Sequence, residues 1–135
     1  MRTRFALALA DAETIVAAAQ THARAQNWPV TIAVVDDSGT PILVARFDEA
    51  SPASYTTAIE KARSAALTGL ATKALEAMIG ERLALLTLGR VVVEGGVPIL
   101  HEGQRVGGIG VSGVRSDQDA LVAHAGLGAF NNMVV

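Results

Sequence analysis

Apolar residues at Leu9, Ala12, Ile15, Val16, Ala19 and Ala23 recur at steps of three and four, which predicts an amphipathic helix from about Ala10 to Gln26. Asn27-Trp28-Pro29 ends it, because the residue before a proline avoids the helical region. Val30–Val35 is an apolar, β-branched run, Asp36-Asp37-Ser38-Gly39 is a turn, and Pro41–Phe47 is the returning strand of a β-hairpin. Ser51-Pro52 is a helix start, a capping hydroxyl followed by proline at the first helical position. That helix carries Tyr55, Ala58, Ile59, Ala62 and Ala66 on one face and stops near Gly69. Thr72 is expected to cap a short helix ending near Gly80, and Glu81–Leu88 to be irregular or an edge segment. Val91–Glu94, Val97–His101 and Gln104–Ser112 predict three further strands, the last two joined by a tight Glu102-Gly103 hairpin. Ser116, with Asp119 three residues on, has the form of a capping box and opens a helix running to about Ala125. Strands joined by hairpins pair antiparallel, so the order predicts an α+β layer fold, not a doubly wound parallel sheet.

The length of 135 residues implies a single domain spanning 1–135. Half of the chain is hydrophobic but only 4% is aromatic, so the core must be built from Ala, Val, Leu and Ile. That much apolar surface is hard for a monomer of this size to hide, which points to a homo-oligomer. The net charge is −2 and the basic residues are scattered, which argues against a nucleic-acid partner. Cysteine is absent, which excludes disulfides, thiol catalysis and thiolate metal sites. The basic, apolar opening Met1–Ala10 is interrupted by Asp11 and Glu13, and no stretch approaches the ~18 apolar residues of a membrane span. The expectation is a cytoplasmic protein with no membrane partner.

Glycine crowds the stretch from Glu94 to Asp119, where interior glycine weakens a strand unless something approaches the backbone closely. Gly108-Ile109-Gly110-Val111-Ser112-Gly113 has the spacing of a dinucleotide loop, but only 22 residues follow it and no second parallel strand does. Strand alternation instead places Gly108, Gly110 and Ser112 on one face and Ile109 and Val111 on the other. Ser112, Gly113, Arg115 and Ser116 precede a helix N-terminus, whose free N–H groups suit a carboxylate or a haem propionate; capping by Ser116 accounts for the same residues. Lys61, three positions from Ala58, is either a cation at a pocket mouth or a solvated or interface lysine. His22 flanks the apolar face of the first helix as a candidate axial haem ligand or general base, or as a half-buried histidine satisfied by its neighbours. His101 falls at a hairpin end and His124 late in the last helix. No histidine or carboxylate pair has metal-ligand spacing, so no metal site is expected.

Five segments in order carry a family resemblance: Ala10-Asp11-Ala12, Ile32–Gly39, Ala58–Ala66, Glu94–Ile99, and Val106–Gly113 with Ser116–Asp119. The chain, from about Leu7 to Phe130, resembles the GlcG/HbpS-like family, also called the haem-degrading-domain family, and is similar to the C-terminal domain of PduO-type proteins. The resemblance implies a profilin-like fold with a five-stranded antiparallel sheet flanked by helices, and homo-oligomers. It implies a tie either to small-molecule catabolism or to haem. Together with Lys61 and the helix N-terminus, which suit a negative group, the expectation is a small-ligand-binding protein whose ligand is a small organic anion, with proton transfer as the chemistry its residue types suit best; the alternative is a haem-binding or haem-degrading module. Carried over by position, Lys61 and Arg63 match the family's Lys-Ala-Arg segment and Glu94, Gly95, Gly96 and Pro98 its Gly-Gly-x-Pro loop. Gly110–Gly113 and Asp117–Asp119 match its last motif. Ala8 departs from the Ser or Thr that relatives carry before the first helix, and the export signal of secreted haem sensors is not seen here.

Overall fold

Every hairpin expected from the sequence forms, and the strands they join make one antiparallel sheet. The computed structural model describes residues 1–133. Its elements are α1 (Leu9–Gln26), β1 (Thr31–Asp36), β2 (Pro41–Arg46), α2 (Pro52–Thr68), α3 (Thr72–Glu81), a 3-10 turn (Leu83–Leu88), β3 (Gly96–His101), β4 (Gln104–Ser112) and α4 (Ser116–Met133). The strand order is β2-β1-β4-β3, with every neighbour antiparallel.

The sheet is the middle of three layers. Ile32, Val34, Ile99, Ile109 and Val111 face α1 and α4, in a core completed by Ile15, Val16, Val122 and Phe130. Ala33 and Val35 face the other way, onto Ala58, Ala62 and Ala66 of α2. The bare glycine face of β4 lies under α2 as well. A Cβ on Gly108 would stand 3.0 Å from the Ala66 nitrogen, and one on Gly110 would stand 2.5 Å from the Ala62 nitrogen. Alanines at i, i+4 and i+8 on one element and glycines at i and i+2 on the other let helix and strand backbones touch.

Four expectations are corrected. The sheet has four strands among the described residues, not five: Val91–Glu94 is not a strand. The Val91 carbonyl accepts from Ser64 Oγ at 2.6 Å instead of from a strand partner, and Gly95 turns the chain at φ 132° before β3 starts. The last helix does not stop at Ala125 but continues to Met133. Gly126 costs about 1 kcal/mol of helix propensity, yet it seats α4 against Ile15 of α1, where a Cβ would be 2.8 Å from the Ile15 carbonyl oxygen. Thr72 is not a cap: it lies inside α3, and its Oγ1 accepts the Gly96 N–H at 2.8 Å. Nor does Ser116 form a capping box with Asp119; Arg115 N–H donates to Gln118 Oε1 (3.3 Å) and Val114 N–H to Asp119 Oδ1 (3.1 Å).

The β1–β2 turn is held by one carboxylate. Asp36 Oδ1 accepts from Ser38 N, Ser38 Oγ and Thr40 N at 2.9, 2.7 and 2.9 Å. Partial burial raises its pKa, but the bonds from Ser38 and Thr40 outweigh it and hold the carboxyl below the ordinary 3.8. A depressed folded pKa means stability that is complete above the unfolded value and lost as pH falls through the folded one. Asp36→Ala is therefore expected to cost about 1 kcal/mol at pH 7, with the deficit shrinking below about pH 3.8 in urea titrations run across that range.

Candidate functional site

Lys61 projects from the buried face of α2, in register with Ala58, Ala62 and Ala65, and its Nζ reaches the far end of β4. It donates to the Val111 carbonyl at 2.9 Å and to Asp119 Oδ2 at 3.0 Å. Both side chains are only 2% exposed. Asp119 comes from the first turn of α4, and its other oxygen takes the Val114 N–H. Burial pushes the Asp119 carboxyl above the ordinary carboxylate value, against the pull of Lys61 and of the Val114 N–H. The Gly-Gly loop closes the junction: a Cβ on Gly95 would lie 2.9 Å from Lys61 Nζ, and one on Gly96 would lie 2.7 Å from Thr72 Cγ2. Four segments thus meet at one ammonium group.

Of the residues singled out in the sequence, Lys61, Gly95 and Gly96 converge here, and the others spread out. Arg63 leaves α2 on another side and donates to the Gly39 carbonyl at 3.1 Å, with Glu60 3.6 Å away. Glu94 is half-buried, 3.9 Å from Lys73. Pro98 sits on the edge strand opposite Gly108, and Ser112 ends β4 opposite Thr31. Gly113, at φ 143°, packs on the Pro29–Val30 backbone. Ser116 opens α4, where Arg115 and Asp117 form an exposed ion pair at 2.9 Å. In the sequence Asp119 fits a capping box and the last family motif, and neither shows it as a partner of Lys61. Its spacing to Val122 and Ala123 puts it on the inward face of α4, and that period was the available signal.

A second constellation forms where α1 ends. Asn27 takes a left-handed conformation at φ 58°, and Trp28 N–H bonds back to the Ala23 carbonyl at 2.9 Å. Phe47 N–H donates to the Val30 carbonyl at 3.0 Å, which brings the end of β2 alongside. The result is an open concavity of about 440 Å³ lined by Ala23, Trp28, Pro29 and Phe47, with Arg24 and Glu49 at its rim. The Arg24 guanidinium lies 5.2 Å from the Phe47 ring centre. His22, partly exposed, holds its ring 6.0 Å from that of Trp28. His101 meets Phe5 edge-on, and His124 is exposed on α4. Among the described residues, no group of three or more His, Asp or Glu is placed to hold a metal ion.

An antiparallel sheet with paired terminal helices on one face and a single long helix on the other defines the structural class. Residues 7–128 match the family described as haem degrading protein HbpS-like, and the chain belongs to that family. It is 42% identical over 114 residues to Protein GlcG of Escherichia coli strain K12, covering 83% of this chain and 85% of that one. A double mutant of HbpS from Streptomyces reticuli superposes with a TM-score of 0.90 at 32% identity, over 95% of this chain and 89% of the other. A PduOC–haem complex superposes with a TM-score of 0.85 at 28% identity, over 93% and 95%.

Proposed function

We propose that this protein is a ligand-binding module whose ligand is haem, seated in the concavity at the end of α1. The observation that carries this reading is the convergence of Trp28, Phe47 and Arg24 at one open site, with the His22 ring 6.0 Å from that of Trp28. The groups there suit a haem: aromatic walls for the macrocycle and a guanidinium for a propionate, with the imidazole of His22, next to Trp28, as the group that would reach the iron. Glu49 on the same rim would disfavour a propionate on its own side. Bound haem would supply a redox-active iron, while these residues hold and orient it. The likeness to a haem-bound PduOC structure supports the reading. In it the protein is a profilin-like single domain acting as a cytoplasmic homo-oligomer. The apolar side chains left open on α3 and the 3-10 turn, Leu83 at 70% and Leu88 at 67% exposure among them, support self-association.

Trp28 is the chain's single tryptophan, so its fluorescence reports on the site directly. Titration with haemin is expected to quench it saturably while a Soret band grows. His22→Ala should shift that band and weaken binding by about tenfold or more. Unsaturable quenching, or a Soret band indifferent to His22→Ala, would overturn the assignment.

A second reading, a small organic anion with proton transfer on it, keeps one observation in its favour. An ammonium has three N–H donors, and among the described residues two of those of Lys61 are matched to protein acceptors. An anion would reach the third only by parting the Glu94–Pro98 loop from Ser112–Ser116, since the side chain is 2% exposed. Thermal shifts with a panel of carboxylates test it: the reading requires a shift that disappears in Lys61→Met.

A further inference from the structure

The chain ahead of α1 lies across one end of the sheet and is fastened there at three points. Arg4 pairs with Asp37 in the β1–β2 turn at 3.1 Å. Phe5 packs edge-on against His101 of the β3–β4 hairpin, with ring centres 4.4 Å apart at 85°. Leu7 seats its Cδ1 where a Cβ on Gly107 would come within 2.7 Å, so the glycine makes room for the leucine. Beneath this strap is a concavity of about 190 Å³ bounded by Phe5, Leu7, Asp11, His101, Val106 and Phe130.

Its floor is apolar, with Val106 and Phe130 buried in the core. Two polar groups border it. Asp11 Oδ2 takes the Ala8 N–H at 2.8 Å, which fixes the carboxylate and leaves its other oxygen as an acceptor. His101 offers an imidazole. An apolar protein cavity of about 150 Å³ accepts benzene, so the space suits one ring or a branched group of similar size. The carboxylate favours a hydroxyl donor and disfavours an anion. We propose that this is a binding site for a small neutral molecule with one aromatic ring and one hydroxyl group, and that the N-terminal strap is its lid. The site is separate from the concavity at Trp28 and shares no lining residue with it.

Phenol is the probe, with benzoate as its charged counterpart, each titrated into the full chain and followed by amide NMR. Phenol is expected to shift the amides of Leu7, Asp11, Val106 and Phe130 saturably, with a Kd of about 1 mM, and benzoate to bind about tenfold more weakly. Ala6 is exposed on the strap and also lines the space, so Ala6→Phe should fill it from the lid side without disturbing the core and abolish the phenol shifts. Asp11→Asn should remove the preference for phenol over benzoate. The absence of saturable shifts with phenol, or unchanged phenol binding in Ala6→Phe, overturns the site. An undiminished preference in Asp11→Asn overturns the role of the carboxylate.

Discussion

Gly110→Ala is expected to lower stability by about 3 kcal/mol, at the upper end of what overpacking costs. The added methyl would overlap the Ala58 carbonyl oxygen and stand 2.5 Å from the Ala62 nitrogen and 3.0 Å from its Cβ. None of those atoms lies at the end of a side chain that could rotate away, so α2 as a whole must lift off β4. Lifting it opens the Ala33, Val35, Ala58, Ala62 and Ala66 layer, which has no large side chain to refill the gap. Two other glycines act as controls. Gly103 meets nothing within 4 Å but sits at φ +74°, so Gly103→Ala should cost about 1 kcal/mol through strain alone. Gly80 also meets nothing and lies inside α3, so Gly80→Ala should gain about 0.5–1 kcal/mol. Urea midpoints rank the three. A Gly110→Ala midpoint equal to wild type would show that helix and strand do not touch as described. In a domain stable by about 5–15 kcal/mol, the loss is large enough to raise the unfolded fraction more than a hundredfold.

That same glycine face marks where the sequence is legible and where it is not. Alternation along β4 is a property of the strand backbone, so Ile109 and Val111 separate from Gly108 and Gly110 on reading alone. What covers the glycines is set by residues some fifty positions earlier in the chain (Ala58 and Ala62), and no local pattern links the two segments. The misread elements share that cause. Val91–Val93 has strand composition, but strand pairing depends on a partner, and Ser64 of α2 takes the Val91 carbonyl. Gly126 reads locally as a helix end, yet its contact with Ile15 makes it part of the α1–α4 seam. At the buried junction the sequence placed Lys61 beside apolar positions and stopped there, because its partner Asp119 also fits a capping motif. The Trp28 concavity was not legible at all, since its walls come from the end of α1 and the end of β2, which the Phe47–Val30 hydrogen bond and the Arg24–Phe47 contact bring together in the fold.

Lys61→Met should cost about 3–5 kcal/mol, the range for removing one partner of a buried ion pair. The methionine fills most of the volume, so the loss is chiefly electrostatic: Asp119 is left in the core with only the Val114 N–H, and the Val111 carbonyl loses its donor. The double replacement Lys61→Met/Asp119→Leu should recover most of the loss, because it removes the stranded charge as well. The single variant also carries a pH signature. Burial already raises the Asp119 carboxyl above 3.8 with Lys61 in place, and without the ammonium it rises further. A folded pKa above the unfolded one means that the folded state binds more protons between the two, so stability falls as pH rises through that window. Lys61→Met is therefore expected to be more stable near pH 5 than at pH 7 relative to the double variant, which lacks the group. Denaturation of both proteins at the two pH values separates the contributions. A loss that the double replacement fails to recover would assign it to the Val111 hydrogen bond, which both variants lack, and a loss under about 1 kcal/mol would mean that the ammonium does not hold the junction of α2, β4, α4 and the Gly95–Gly96 loop together.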